Sequence, residues 1–409
     1  MGKRNENIIT VIDLGSAKTL ALVVEATNAG LRYRGHGISP SAGTRRGVIV
    51  DLESAGKSVA EAVARAEKSS GIALDSAVVG VSGPHIRSGN SYGVISLGSR
   101  ARELTTADVQ AAGARARDIE MPEDREILHL LTQEFVVDDQ DGVKQPVGML
   151  ARQLEVRVHV ITAAHSAVQN IVTSLNRVGM HVEDTIYEAL ACSESVLRGE
   201  ERELGAAVID IGAGTADIAV VRDDVVIHSG VVPLGGLNFT RDVAYGLETP
   251  VAEAENLKRQ FGCSIVTNIS EQNEIEVPSV GDRPPRMMRQ RDLAEILEPR
   301  ARELMELLRD DLHRAGVLEK LGGGIILTGG AARLPSLLDT CEDILRRPAR
   351  LGLPLGMAQL PVELQEPEYA AAIGMVFYTQ RARVLKRKEK EETGFGARVR
   401  ALFVRGNAG

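Results

Sequence analysis

The chain has no tryptophan, and aromatic residues make up only 3% of its 409 positions. Its core must therefore be aliphatic, and a surface that stacks broadly on nucleic-acid bases is not expected. Cysteine is nearly as scarce. Cys192, Cys263 and Cys341 are odd in number and far apart, which argues against a disulfide framework or a zinc site and for a reducing cytoplasm. No run of about 18 uncharged apolar residues exists, so no spanning helix is expected. The start, MGKRNENIIT, carries two basic residues without a long apolar run behind them, so no signal peptide is expected either. Basic charge is in deficit, with 48 Lys and Arg against 56 Asp and Glu and a net charge of −8. That balance disfavours general nucleic-acid binding, which needs basic surface to neutralise phosphate. What remains, 44% apolar and 25% charged residues, is a soluble globular composition, long enough for two or three domains.

The strongest signal is an internal repeat. Val11-Ile12-Asp13-Leu14-Gly15 recurs as Val208-Ile209-Asp210-Ile211-Gly212, and Val23-Val24 has its counterpart in Val220-Val221. Each copy reads as strand, acidic glycine turn, strand, so the spacing predicts two like domains facing each other. A chance match of hydrophobic strands is the plainer alternative.

Between the copies, the pattern predicts a helix over Leu52–Ser69 stopped by Gly71, a buried strand Ala77–Val81 and a helix Ser166–Arg177. Residues 83–162 differ. Short strands (Val94–Leu97, Phe135–Val137, Leu154–Ile161) surround a polar helix, Thr106–Arg117, as in a small inserted α+β unit. After the second copy come a helix Val251–Phe261, a Pro-rich loop at 278–286 and a long helix Arg291–Arg314, interrupted or bent at Pro299. A buried strand at Ile325–Leu327 then enters the turn Thr328-Gly329-Gly330-Ala331-Ala332, with a helix Leu334–Leu345 beyond. The last helix of the body is expected over Tyr369–Val384.

A glycine turn between strands can present backbone N–H groups to phosphate oxygens with no Cβ in the way. In the first turn Gly15 is joined by the Ser16 hydroxyl and the Lys18 charge; in the second, Gly212, Gly214 and Thr215 play the same part. An aspartate at a strand end repels phosphate directly. It can hold Mg²⁺ through water, because Mg²⁺ keeps its waters and takes only one or two carboxylates beside phosphates. Asp13 and Asp210 are thus candidate metal residues between two domains, with Asp217 supporting the second loop. For either turn alone, a tight turn with a solvated aspartate is the commoner explanation. Gly329 and Gly330 would let a flat ring approach the backbone, with Arg333 against the base.

These stretches carry a resemblance. Ile12-Asp13-Leu14-Gly15-Ser16-Ala17-Lys18, Ile209-Asp210-Ile211-Gly212-Ala213-Gly214-Thr215-Ala216-Asp217 and Leu327-Thr328-Gly329-Gly330-Ala331-Ala332 are similar to the phosphate 1, phosphate 2 and adenosine motifs of the actin, hexokinase and heat-shock chaperone superfamily. Glu188-Ala189-Leu190-Ala191 and Glu368-Tyr369-Ala370-Ala371-Ala372-Ile373-Gly374 resemble its two connecting helices. More narrowly, the chain from residue 8 to its C-terminus resembles the FtsA family of bacterial cell-division proteins, which carry an inserted SHS2 domain. The telling stretches are Arg46-Gly47-Val48-Ile49-Val50-Asp51-Leu52-Glu53, Gln133-Glu134-Phe135, Pro146-Val147-Gly148-Met149 and Pro278-Ser279-Val280-Gly281-Asp282-Arg283-Pro284-Pro285-Arg286.

The resemblance implies an α/β, actin-like fold: two facing α/β domains around a nucleotide cleft, with inserted subdomains 1C and 2B and a C-terminal amphipathic helix. On this plan 1–82 and 163–197 form subdomain 1A, 83–162 is 1C, 198–246 and 315–385 form 2A, 247–314 is 2B, 386–393 is a charged linker and 394–405 the membrane helix. It further implies ATP and Mg²⁺ as cofactors, at most a weak ATPase, and no nucleic-acid partner. The expected role is to tether FtsZ filaments to the cytoplasmic face of the cell membrane at the division septum, to self-associate into polymers and to recruit later divisome proteins through 1C. The FtsZ C-terminal tail would meet 2B, where Arg286, Arg289, Arg291 and Arg300 are expected to be exposed and Arg286 and Arg300 are the candidate contacts. Glu188-Ala189-Leu190 lacks the proline of the chaperones, so no strong hydrolytic role carries over to Glu188. The alternatives are an actin-like pilus-assembly adaptor or a small-molecule kinase of the same superfamily, though no sugar-site motif is visible.

The C-terminal tail reads without the family. Nine basic residues between Arg381 and Arg405 face three acids, Glu389, Glu391 and Glu392. At helical spacing Phe395, Val399, Leu402 and Phe403 share an apolar arc about 100° wide. Arg398 and Arg400 sit at its edges, placed to snorkel to anionic lipid phosphates. A helix docked on the protein's own core, or a frayed tail, is the competing reading.

Overall fold

The computed structural model describes residues 7–391. It builds the two halves on one wiring. In the first half a five-stranded sheet runs His181–Tyr187, Ser76–Val81, Ile8–Leu14, Lys18–Thr27, Gly30–Pro40. In the second it runs Ala349–Leu351, Gly324–Thr328, Ala206–Ile211, Ala216–Arg222, Val225–Val232. The repeated pentapeptides supply the central strand of each. Both centres pair antiparallel with the strand that follows and parallel with one that returns later. The β-branched runs explain this placement: Val11 and Ile12 or Val208 and Ile209, wholly buried, suit a strand covered on both faces.

Helices seal the sheets. Leu52–Ser70 begins where the Asp51 carboxylate accepts from the Glu53 and Ser54 amides, at 3.0 and 3.3 Å. It ends at Gly71 in the left-handed region, as a C-terminal glycine allows. The helices Glu188–Val196 and Ala370–Glu391 cross between the halves, and the Ser195 hydroxyl donates to the Ala370 carbonyl (2.7 Å). Residues 83–162 have a four-stranded sheet, Gln140–Val143, Arg125–Val137, Gln153–Ala164, Arg87–Ser96, with the helix Thr106–Arg117 against it. This insert buries its own aliphatic core around Leu104, Val109, Leu154 and Val156. Each such side chain contributes roughly 1.5–3 kcal/mol by burial, enough to fix a small unit.

The insert also touches the second half. Its Gln133 amide donates to the Val226 carbonyl (3.0 Å), and His159 bridges Asn90 Oδ1 (2.7 Å) and Ser229 Oγ (2.8 Å). Burial, with His228 nearby, pushes the His159 imidazole down to about 3. It is therefore neutral, with one nitrogen to donate and one to accept. These contacts cover the edge strand Val225–Val232.

Several expectations need correction. The insert strands are longer than read, reaching thirteen residues in Arg125–Val137. The strand Gly30–Pro40, a small hairpin of Thr44–Arg45 with Val48–Ile49, and a hairpin of Glu274–Val277 with Arg286–Arg289 around the Pro-rich loop were all missed. The helix expected at Leu334 begins at Leu337. Pro335 holds Leu334 extended, and Ser336 is left-handed with φ 64°, so the helix starts only after both. The long helix, Gln290–Arg314, continues through Pro299. The last helix runs to Glu391, into residues 386–391 expected to be linker; its Lys, Arg and Glu residues are good helix formers. The residues expected to form a membrane helix, Phe395, Arg398, Val399, Arg400, Leu402 and Phe403, lie outside the described residues.

Candidate functional site

Each half ends its central strand at the same boundary, and the turns that follow face one another. The cavity between them has a volume of about 920 Å³. Asp13, Gly15, Ser16 and Lys18 line it from the first half; Asp210, Gly212, Gly214, Thr215 and Asp217 from the second; Gly329, Gly330 and Arg333 from the turn beyond. All twelve residues singled out by motif thus meet in one cleft.

The turns are locked together. The Thr44 hydroxyl donates to the Gly15 carbonyl (3.0 Å) and the Gly47 amide to Ser16 Oγ (3.2 Å), so the small hairpin at 44–49 holds the first loop. The second loop is braced by the helix Gly236–Gly246, whose first amides donate to the Gly212 and Ala213 carbonyls at 2.9 and 2.8 Å. Gly329 has φ 84°, and a Cβ there would stand 2.2 Å from Asp210 Oδ1. Only glycine lets the third turn close on the aspartate.

The floor is acidic. Burial pushes the Asp13 carboxyl up to about 6, with Lys18 pulling the other way. Burial, then the charges of Asp217 and Asp13, pushes Asp210 up to about 7. Asp217 is raised to about 6 by burial, although Ser82 and Thr215 donate to it. Glu188 is raised well above the carboxylate range by burial and by Asp13. Carboxylates crowded at low dielectric resist joint ionisation unless a cation joins them. Among the described residues no group of three or more His, Cys, Asp or Glu side chains forms a ligand cage. Mg²⁺ fits such a floor, since it needs few protein ligands beside phosphates and water; Asp13 and Asp210 are the residues that would hold it.

Sequence reasoning missed several lining residues. Glu188 was read only as part of a connecting helix. Glu255, Lys258 and Arg259 share one face of the helix Val251–Phe261 and line the cleft. The i, i+3, i+4 spacing was the available signal. Lys258 Nζ donates to Thr240 Oγ1 (2.9 Å) and the Gly236 carbonyl (3.1 Å) and pairs with Glu255 (2.6 Å). Cys192, buried like the other two free cysteines, points its Sγ at Asp210 Oδ2 (3.4 Å).

Arg333 is half-exposed and paired with Glu366 at 3.2 Å. Arg286 and Arg300 are not the exposed pair expected. Arg286 donates to the Leu247 carbonyl, and Arg300 forks onto Asp242 at 2.5 and 3.1 Å with Glu303 beside it. The Leu247 carbonyl, just past the helix Gly236–Gly246, draws Arg286 down, and the Asp242 and Glu303 carboxylates draw Arg300 down.

A family model described as "Cell division protein FtsA" matches residues 207–374, and one described as "SHS2 domain inserted in FTSA" matches residues 83–162. The curated Cell division protein FtsA of Pseudomonas aeruginosa is 39% identical over 372 residues, covering 91% of this chain and 89% of that one. Its namesake from Escherichia coli K12 is 35% identical over 396 residues, 95% and 94% of the two chains. Among solved structures, the PilM-PilN type IV pilus biogenesis complex matches with a TM-score of 0.64 at 17% identity, over 90% of this chain and 96% of that one. MreB5 of Spiroplasma citri bound to ADP matches with a TM-score of 0.56 at 14% identity, over 96% and 100%. At such identities these two structures share the fold.

Proposed function

The chain belongs to the FtsA family of cell-division proteins and has its actin-like fold, and from that premise we propose that it is a nucleotide-dependent membrane tether for FtsZ filaments. In this reading ATP lies in the cleft with its phosphates between the loops at Asp13–Lys18 and Asp210–Asp217, and Mg²⁺ offsets the charge of Asp13 and Asp210. The base rests on Gly329 and Gly330 beside Arg333. Subdomain 2B takes the acidic and apolar FtsZ tail, 1C serves later division proteins, and self-association into polymers multiplies a weak membrane anchor. Among the described residues no helix is long and apolar enough to cross a membrane; in this reading the amphipathic pattern at 394–405 makes the attachment. The protein would act at the cytoplasmic face of the membrane at the septum.

One observation supports the nucleotide reading above the others: both repeated Asp–Gly turns and the Gly329–Gly330 turn open on the same cavity. A fluorescent ATP analogue should bind saturably in Mg²⁺ and lose affinity with EDTA or with Asp210→Ala. Unchanged affinity in both conditions would sink the site. Hydrolysis is weak at most in this reading, and Glu188 is given no hydrolytic role. The kinase alternative predicts phosphate transfer that rises with added hexose; the tether predicts none. Co-sedimentation with FtsZ polymer separates the tether from a pilus-type adaptor.

A further inference from the structure

Glu368 sits on the short turn Pro367–Tyr369 that opens the last helix. The turn is fastened to the second half by its backbone. The Pro367 carbonyl accepts from the Gly329 amide (3.1 Å) and from the Thr328 hydroxyl (3.0 Å). The Glu368 carboxylate is therefore held at a fixed place on the cleft wall, and its two oxygens face different halves of the molecule. Oε1 is 2.7 Å from the Lys18 ammonium, at the end of the first loop. Oε2 is 3.8 Å from the Arg333 guanidinium, on the second half's turn. Lys18 also lies over the Tyr369 ring, 3.4 Å from its centroid, which favours a cation there. Lys18, Arg333 and Glu368 all line the same cavity.

One carboxylate cannot fully neutralise two cations. Whatever Arg333 draws from Glu368 leaves Lys18 freer to meet an incoming anion, and loss of Arg333 hands the carboxylate back to Lys18. Lys18 and Glu368 are each only about a quarter exposed (26% and 24%), while Arg333 is about half exposed (52%) and has Glu366 as its nearer carboxylate at 3.2 Å, so water and Glu366 weaken this competition without removing it.

We infer that Glu368 is a positioning residue that couples the phosphate end of the cleft, through Lys18, to its base end, through Arg333, for a nucleoside polyphosphate ligand. The inference rests on the nucleotide reading above. Arg333 then assists phosphate capture without touching phosphate.

The test uses the full chain in Mg²⁺ with two probes, inorganic pyrophosphate and a fluorescent ATP analogue. Pyrophosphate has no base, so an arginine that only contacts the base leaves its affinity unchanged. Arg333→Gln should instead weaken pyrophosphate binding roughly threefold or more, and this loss should vanish when Glu368→Gln is added. With the ATP analogue, Lys18→Gln and Arg333→Gln together should lose less affinity than the product of the single losses. A shortfall of roughly three- to tenfold is expected for residues that share a partner. In the Glu368→Gln background the two losses should simply multiply. Multiplying losses in the intact background, or a shortfall that survives Glu368→Gln, overturns the coupling and leaves the nucleotide site standing. An intact chain that binds the ATP analogue nowhere overturns both.

Discussion

The Ser82 hydroxyl donates to Asp217 Oδ2 across 2.7 Å, joining the end of a first-half strand to the strand that follows the second Asp–Gly turn. Thr215 Oγ1 donates to the same oxygen at 2.8 Å. This buried bond crosses the boundary along which the two halves would open. Ser82→Ala leaves Asp217 with one hydroxyl donor fewer, a loss of about 1–3 kcal/mol for a hydrogen bond to a buried charged acceptor. The variant should melt at a lower temperature, and its gain in Tm on adding an Mg-ATP analogue should shrink, because ligand stabilisation follows affinity for the closed form. Thermal unfolding with and without the analogue reads both. An unchanged Tm together with an unchanged gain would show that the bond does not hold the halves.

The acidic floor makes the ligand-free protein sensitive to alkali. Asp210 rises from an ordinary 3.8 to about 7, and Asp13 and Asp217 from 3.8 to about 6. Between about pH 4 and pH 7 the folded chain therefore binds more protons than the unfolded one. Stability from these groups is full at the acid end of that window and falls as the pH rises through it. Asp210→Asn should flatten the slope, keeping on the order of 3 kcal/mol that the intact chain loses between pH 5 and pH 8. Mg²⁺ with nucleotide should flatten it as well, since the cation takes over the protons' role. Denaturant midpoints at pH 5 and pH 8 for both chains measure this, and parallel slopes would contradict it.

The central strands were legible because their code is local. Val11–Gly15 and Val208–Gly212 spell strand, acid and glycine within five residues, and the repeat carried the symmetry of the halves. The helix Leu52–Ser70 was legible for the same reason, with Asp51 and Gly71 at its ends. What stayed hidden is set by distant partners. Nothing near Arg300 announces Asp242, 58 positions away, and nothing near Lys18 announces Glu368. The hairpin of Glu274–Val277 with Arg286–Arg289 was obscured by the prolines and glycine between its strands, which read as loop alone.

Those distant partners change how the proposed filament partner should be sought. Charge reversal at Arg300 breaks its fork onto Asp242 and should cost stability as well as any binding. Met287 and Arg289, on the adjacent hairpin, are exposed and test the surface more cleanly. Met287→Ser with Arg289→Gln, which puts no like charge opposite Glu276 or Glu274 across the hairpin, should keep the Tm within about 1–2 °C, as surface changes usually do. It should weaken an FtsZ C-terminal peptide roughly tenfold by anisotropy, since rim charges steer an acidic tail and an apolar anchor holds it. Native affinity in that variant would place the tail elsewhere on the protein.

The proposed membrane attachment is argued from the sequence pattern at 394–405, outside the described residues. Phe395, Val399, Leu402 and Phe403 form one stripe at helical spacing, and each buried side chain of this class contributes roughly 1.5–3 kcal/mol. Helix ordering and lost translational freedom consume much of that sum. A single copy should thus bind weakly and reversibly, and Arg398 and Arg400 should make binding depend on anionic lipid and on salt. Leu402→Glu with Phe403→Glu places two charges in the stripe, and deletion of 394–409 removes it. Either change should abolish flotation with anionic liposomes while the Tm of the body stays native. Arg398→Gln with Arg400→Gln should give a milder loss that deepens with salt. A deletion variant that floats as well as the intact chain would show that the tail is not the anchor and overturn this reading.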